Sequence, residues 1–148
     1  MEHLPFVLEG TVVPGKRLGS QLGFPTANIA YEPSGRNWPK EGVYVGTAAI
    51  EGSSRRYLAI LNQGRHPTAP EGAPTVEAHL LDFPYEALYG ARLRLCYRFF
   101  LRDEQAFASL QALQEQLQND RAQALRWAQT YEPGLARVSR APVPEENE

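Results

Sequence analysis

The segment from residue 92 to residue 102 constrains the fold more than any other stretch, because its side chains alternate in character. Every second residue is apolar, in the order Leu93, Leu95, Tyr97, Phe99 and Leu101. The positions next to them are largely polar, with Arg92, Arg94, Cys96, Arg98 and Arg102. A period of two is typical of a strand with one buried face and one solvated face. We therefore predict a strand here, with the apolar set facing a core.

Similar short runs recur along the chain and indicate a mainly β fold. They cover residues 6–13, 43–50, 56–62, 75–82 and 91–101, with clusters of Gly, Pro and Ser between them. Five or six strands without intervening helices are typical of a small antiparallel barrel. We predict a closed Greek-key barrel of about six strands.

After Arg102 the apolar period lengthens, which predicts a C-terminal helical segment packed on the barrel. Apolar residues recur every three or four positions, at Phe107, Leu110, Leu113 and Leu117. Asp103 stands where a helix cap is expected, and Glu104 falls in the predicted first turn. The Asn119-Asp120 pair is expected to interrupt the helix, which then continues to Tyr131.

Length and composition bound the classes of function. A chain of 148 residues with 43% hydrophobic residues suits one domain, which we expect over residues 1–131, followed by a mobile polar tail over 132–148. The net charge of −2 gives no field that would attract nucleic acid or an anionic membrane. One cysteine and the lack of a long apolar run or signal-like N-terminus favour a cytoplasmic protein, which we expect to be a monomer.

A glycine-rich segment precedes one hydroxyl and one amide, and this combination indicates a phosphate site. The glycines are Gly10, Gly15, Gly19 and Gly23. Glycine lets backbone N–H groups approach phosphate oxygens closely, and the side-chain oxygens of Thr26 and Asn28 suit a hard cation. Residues 10–16 also spell the start of a P-loop, but Arg17 stands where that motif needs Ser or Thr.

Several motifs occur in one order along the chain, and together they carry a family resemblance. They are Pro25-Thr26-Ala27-Asn28, Gly42-Val43-Tyr44, Asn62-Gln63-Gly64 with Pro67-Thr68, Glu77-Ala78-His79-Leu80-Leu81-Asp82-Phe83, Leu88-Tyr89-Gly90, and Leu101-Arg102 with Glu104, Phe107 and Leu110. With these residues the chain resembles the riboflavin kinases, or flavokinases, over residues 6 to 128.

The resemblance implies an ATP:riboflavin 5′-phosphotransferase that makes FMN and stops short of FAD. It assigns nucleotide binding to Gly15, Gly19, Gly23, Thr26 and Asn28. It also implies that Thr26 and Asn28 hold Mg²⁺, with Mn²⁺ or Zn²⁺ as alternatives, and that Glu77 is the catalytic base. For the flavin pocket we expect His79, Arg102, Glu104 and Phe107.

Other interpretations of the same residues remain open. Glu77 shares a strand face with His79 and Leu81, and a carboxylate on a barrel-facing side is costly unless it is used or paired. Taken alone, Glu77 also fits a surface glutamate, and His79 a packing residue. A stand-alone relative that binds flavin or FMN as a regulator or carrier is the main alternative function. An oligonucleotide-binding barrel is a further one, disfavoured by the negative net charge.

Overall fold

Six strands form a closed antiparallel barrel, and one long helix lies against its outer surface. The computed structural model describes residues 4–13, 26–31, 37–68, 74–81 and 88–135, with the backbone alone for 65–68. The elements are β1 (Phe6–Val13), β2 (Thr26–Ala30), β3 (Gly42–Ile50), β4 (Arg56–Thr68), β5 (Pro74–Leu80), β6 (Arg92–Arg102) and α1 (Leu110–Tyr131). The predicted fold class is confirmed.

The strand order gives the barrel its Greek-key character. Neighbouring strands run β1-β2-β5-β4-β3-β6, and β6 closes the barrel by pairing with β1. Strands β3, β4 and β5 pair in succession, and β2 lies beside β5, which is the Greek-key arrangement. This order places β2 directly against a strand that follows it in the chain by more than forty residues.

Apolar side chains from all six strands fill the barrel interior. The core cluster contains Phe6, Leu8, Val12, Ala27, Ile29, Tyr44, Ala48, Tyr57, Ala59, Leu61, Val76, Ala78, Leu80, Leu93, Leu95 and Tyr97. A buried amide lies among them, because the Tyr97 hydroxyl donates to Gln63 Oε1 at 2.7 Å and Gln63 Nε2 donates to the Pro39 carbonyl at 2.9 Å. Both polar groups of the Gln63 amide are therefore satisfied inside the barrel.

Strand β6 keeps the predicted alternation only as far as Tyr97. Its register with β3 then shifts twice: Tyr97 pairs with Gly46 but Phe99 with Val45, and Phe100 pairs with Tyr44 but Arg102 with Val43, which returns Arg102 to the outer surface. Such a bulge reverses which alternate residues face the core. Phe99 is consequently 42% exposed, while Phe100 packs edge-on against Tyr44 inside the barrel. The expectation that Phe99 faces the core was wrong.

Strand β2 is the strand that the pattern of β-type runs did not identify. It has five residues, of which the three central ones, Ala27, Asn28 and Ile29, are all buried. A short strand covered on both faces shows no alternation of apolar and polar residues, so its period is invisible in the sequence.

Helix α1 begins later than predicted and is not interrupted. Its N-cap is Ser109, whose side chain accepts a hydrogen bond from the Ala112 N–H at 3.1 Å, so Asp103 is not the cap and Glu104 is not in the first turn. The helix also continues through Asp120 without a break. The reason is that Asp120 faces the barrel: its carboxylate is fully buried and pairs with Arg102.

The Arg102 to Asp120 pair joins the end of β6 to the middle of α1. Arg102 Nε and Nη2 donate to the two Asp120 oxygens at 3.0 and 2.8 Å, and Gln116 Nε2 donates to Asp120 Oδ1 at 2.8 Å. A buried carboxylate is tolerated only with partners of this kind. We infer that this pair fixes where α1 lies on the barrel.

An apolar cluster on the outer surface of the barrel lies under α1. Its buried members are Val43, Val45, Leu58, Ile60, Leu81, Ala124 and Ala128. Beyond the helix, Glu132 accepts hydrogen bonds from Arg98 at 2.8 Å and Arg56 at 3.1 Å, and Leu135 is buried. Residues 136–148, the rest of the expected mobile tail, lie outside the described part of the chain. Within the described part, no helix is both long and apolar enough to cross a membrane.

Replacing Arg102 by Met should destabilise the protein far more than the same change at Arg94 on the same strand. Arg102→Met leaves the Asp120 carboxylate buried without its cation, which costs about 3 to 5 kcal/mol. Arg94 pairs with Glu9 at 3.4 Å in an exposed site, and its loss should cost less than about 1 kcal/mol. Urea unfolding of the two variants measures the difference. Equal losses would contradict the structural role of the buried pair.

Candidate functional site

Residues from five adjacent strands form one row across the outer surface of the barrel, which we call the outer row. Its members, in strand order, are Asn28, Glu77, Asn62, Val43 and Arg102. Directly paired residues on neighbouring strands point to the same side of a sheet, and Val43 belongs to the cluster under α1. The row therefore lies on the outer surface, with neighbours about 4.8 Å apart along it.

A second row lies two residues along each strand and contains Thr26, His79 and Ile60. Because the side-chain period of a strand is two, this row shares the outer surface with the first. Thr26 Oγ1 lies 3.1 Å from His79 Nδ1, and the tautomer of the ring decides which of the two donates. Ile60 connects the row to the cluster under α1.

The carboxylate of Glu77 lies on the outside of the barrel rather than on its interior side. The inward positions of β5 are taken by Val76, Ala78 and Leu80, which belong to the interior core. The expectation of a barrel-facing Glu77 is corrected by this register. The Glu77 side chain keeps 21% of its surface exposed, so a ligand can reach it.

His79 is buried beside Glu77 and is neutral at physiological pH. Burial lowers the pKa of His79 to about 4; of the smaller effects, Asp120 opposes this shift and Arg102 adds to it. His79 Nε2 and Glu77 Oε1 lie 3.8 Å apart, but because the imidazole is neutral they do not form an ion pair at neutral pH. A neutral, enclosed imidazole is suited to holding the Thr26 hydroxyl in place.

Three of the residues expected to bind flavin lie at the end of β6 or in the segment that follows it. The Arg102 guanidinium is engaged by Asp120 and lies 6.0 Å from the centre of the Phe107 ring. The Glu104 carboxylate lies against Gly64, in the space that a β-carbon at this position would occupy. A side chain at residue 64 would displace the Glu104 carboxylate from this position. His79, the fourth of these residues, lies instead in the second row next to Thr26.

The oxygen groups of Thr26 and Asn28 fit a hard cation that also binds phosphate. Among the described residues, no group of three or more His, Cys, Asp and Glu side chains could hold a metal ion. A site built from a hydroxyl, an amide oxygen, phosphates and water suits Mg²⁺, which retains waters and needs few protein ligands. Gly15, Gly19 and Gly23, predicted to hold phosphates, lie outside the described residues.

Asn62 is a site residue to which the sequence assigned no role. It pairs directly with Glu77 across β4 and β5, and its Oδ1 is buried with no hydrogen-bond partner in the described part of the chain. Its presence in the Asn62-Gln63-Gly64 motif was a signal, but only the strand register shows that Asn62 adjoins Glu77.

Acid should destabilise the protein through His79. The imidazole has a pKa near 6.5 in the unfolded chain and about 4 in the folded protein. The unfolded state therefore takes up a proton at a higher pH than the folded state does. The stability that comes from a neutral His79 is fully present above pH 6.5 and is lost as the pH falls toward 4. Unfolding free energies at about pH 7.5 and about pH 5 should differ by about 2 kcal/mol more in the wild type than in His79→Gln. Parallel pH dependences would contradict a buried neutral His79.

Comparison with known proteins identifies the family of the chain. The family model for flavokinase, described as riboflavin kinase, matches residues 2–128. The chain is 41% identical over 121 residues to a bifunctional riboflavin kinase/FMN adenylyltransferase of Pseudomonas fluorescens, covering 81% of this chain and 37% of that protein. It spans less than half the length of the first curated relatives that it matches.

Two further matches cover most of this chain and most of the protein that it matches. A riboflavin kinase of Homo sapiens is 35% identical over 124 residues, which cover 81% of this chain and 79% of the human protein. The crystal structure of riboflavin kinase from Trypanosoma brucei superposes with a TM-score of 0.62 at 28% identity, covering 92% of this chain and 83% of that one. The motifs quoted above lie within the matched residues, and the chain belongs to the riboflavin kinase family.

Proposed function

We propose that the chain phosphorylates riboflavin, transferring the γ-phosphate of ATP to the ribityl 5′-hydroxyl and releasing FMN and ADP. The observation that carries the proposal is the direct pairing of Asn28 with Glu77 on adjacent strands. It sets oxygen groups suited to a metal and phosphate beside a partly exposed carboxylate. Family membership supports both the kinase chemistry and ATP as the co-substrate.

In this proposal Glu77 acts on the attacking hydroxyl. The 5′-oxygen attacks the γ-phosphorus, the bond from that phosphorus to the β,γ-bridging oxygen breaks, and ADP leaves. The hydroxyl proton passes to the Glu77 carboxylate. A positioned general base of this kind contributes about 10²- to 10⁴-fold in rate. The second contribution is orientation, since phosphoryl transfer depends on alignment and charge stabilisation.

Thr26 and Asn28 would hold the phosphate end of the nucleotide. Mg²⁺, when bound there, would neutralise charge on the β- and γ-phosphates. The Thr26 hydroxyl is already oriented by His79, so it loses little freedom on binding. Because His79 is neutral at pH 7, it adds no positive charge that would compete with a cation. The glycines at 15, 19 and 23 would supply backbone N–H groups to the phosphates.

The flavin ring would lie toward Arg102, Glu104 and Phe107. Glu104 lies against Gly64, two residues from Asn62 and on the side of Glu77 away from Asn28, and Phe107 lies beside Arg102. With the phosphates beside Asn28 and the ring beside Glu104, the ribityl chain would pass Asn62 and bring its terminal hydroxyl to Glu77. The arrangement needs no covalent intermediate on the protein.

Purified protein mixed with riboflavin, ATP and Mg²⁺ should form FMN, and Glu77→Gln should lower kcat by at least about 100-fold while the protein remains folded. Chromatography of the flavins measures the product. Glu115→Gln is the matched control, because Glu115 lies exposed on α1 and should retain activity. ATP consumption should require riboflavin. Flavin binding without FMN formation in the wild type would instead favour the carrier alternative.

Removing the Thr26 hydroxyl should impair use of the magnesium nucleotide. Thr26→Val keeps the shape of the side chain but loses the oxygen, and we expect kcat/KM for ATP to fall by about 10- to 100-fold, with more Mg²⁺ needed for half-maximal rate. Thr26→Ser, which keeps the hydroxyl, is the control. Unchanged dependence on ATP and Mg²⁺ in the valine variant would remove Thr26 from the phosphate site.

A further inference from the structure

The outer row contains a buried hydrogen-bond acceptor for which the described residues offer no donor. Asn62 Oδ1 has essentially no solvent-exposed surface and no partner there. A buried polar atom without a partner costs about 1 to 3 kcal/mol, so most such atoms in folded proteins are paired. Such an atom calls for an explanation, and a ligand that supplies the missing donor is one.

The neighbours of Asn62 explain which kind of partner is missing. Glu77 pairs directly with Asn62 on one side, and the Glu104 carboxylate lies against Gly64, two residues further along β4. An ionised carboxylate accepts hydrogen bonds and cannot donate them. The surroundings are therefore rich in acceptors, and a ligand that satisfies Asn62 must bring a donor.

The position of Asn62 within the outer row indicates which part of the ligand would contact it. Asn62 is one strand spacing, about 4.8 Å, from Glu77, and it lies on the side away from Asn28. If Glu77 receives the terminal hydroxyl, a polyol chain that runs toward the Glu104 carboxylate, which lies against Gly64, passes Asn62. Its secondary hydroxyls are donors of the kind that Asn62 Oδ1 lacks.

We propose that Asn62 accepts a hydrogen bond from a secondary hydroxyl of the ribityl chain, and that this contact makes the site selective for flavins that carry a polyol. The inference rests on the proposed function and adds to it a specificity-determining residue. It also explains why a costly unpaired acceptor is kept beside Glu77, since a site built to bond a hydroxyl rejects analogues that lack it.

Asn62→Leu separates a ligand contact from a structural role. The leucine has a similar volume and removes the unpaired acceptor, so the flavin-free variant should have a Tm equal to or above that of the wild type. Its Kd for riboflavin should rise by about 5- to 30-fold. Its Kd for lumiflavin, which carries a methyl group in place of the ribityl chain, should not change. Quenching of flavin fluorescence measures both constants.

Gln63→Leu is the matched control from the neighbouring position on the same strand. The Gln63 amide faces the interior and is fully bonded, so its loss should lower Tm and leave the ratio of riboflavin to lumiflavin affinity unchanged. A riboflavin Kd for Asn62→Leu equal to that of the wild type would overturn the inference. So would an equal loss of affinity for both flavins, or a shift in Mg²⁺ dependence without a shift in riboflavin affinity.

The same experiment distinguishes the two levels of the proposal. A wild-type protein that binds riboflavin and makes FMN, but whose Asn62→Leu variant keeps full selectivity for the polyol, overturns the role of Asn62 alone. A wild-type protein that neither binds nor phosphorylates riboflavin overturns the proposed function and this inference together.

Discussion

The position of β5 between β2 and β4 is the constraint on which the whole site depends. Asn28, Glu77 and Asn62 lie side by side only because these three strands pair in one particular register. The side-chain period of a strand is two, so a slip of one residue would turn Glu77 into the barrel and bring Val76 or Ala78 outside. The interior core prevents that slip, because it would expose apolar residues that are now fully buried. The energy that fixes the fold also fixes the site.

The helix completes this arrangement from outside. Its buried Asp120 is held by Arg102, and its Ala124 and Ala128 cover apolar residues of β3 and β4. Asp120 and Arg102 also affect the pKa of His79, which Asp120 raises and Arg102 lowers. The helix therefore contributes to the electrostatic surroundings of His79 and, through its apolar residues, to the packing of the outer surface.

The sequence predicted the fold class well because the strong signals are local. The alternation in β6 and the helical period after it each follow from side-chain patterns within one element. Features that depend on contacts between elements were missed or misplaced. The register shift of β6 between Tyr97 and Phe99 lies opposite Gly46 of β3, where a β-carbon would collide with the Cys96 carbonyl. Likewise, the burial of Asp120 depends on Arg102, and the short β2 is defined by its two neighbours.

The proposed site shows the same division. Thr26, Asn28 and Glu77 were named from motifs, but their pairing and the outward direction of Glu77 come from the strand register. Asn62 emerged only from its burial and missing partner. The most direct measurement is a crystal structure of the protein with riboflavin, ADP and Mg²⁺. We predict the ribityl 5′-oxygen within about 2.6 to 3.2 Å of the Glu77 carboxylate, with the terminal phosphate at Thr26 and Asn28. A 5′-oxygen bound away from Glu77, or phosphates bound away from β2, would contradict the central claim.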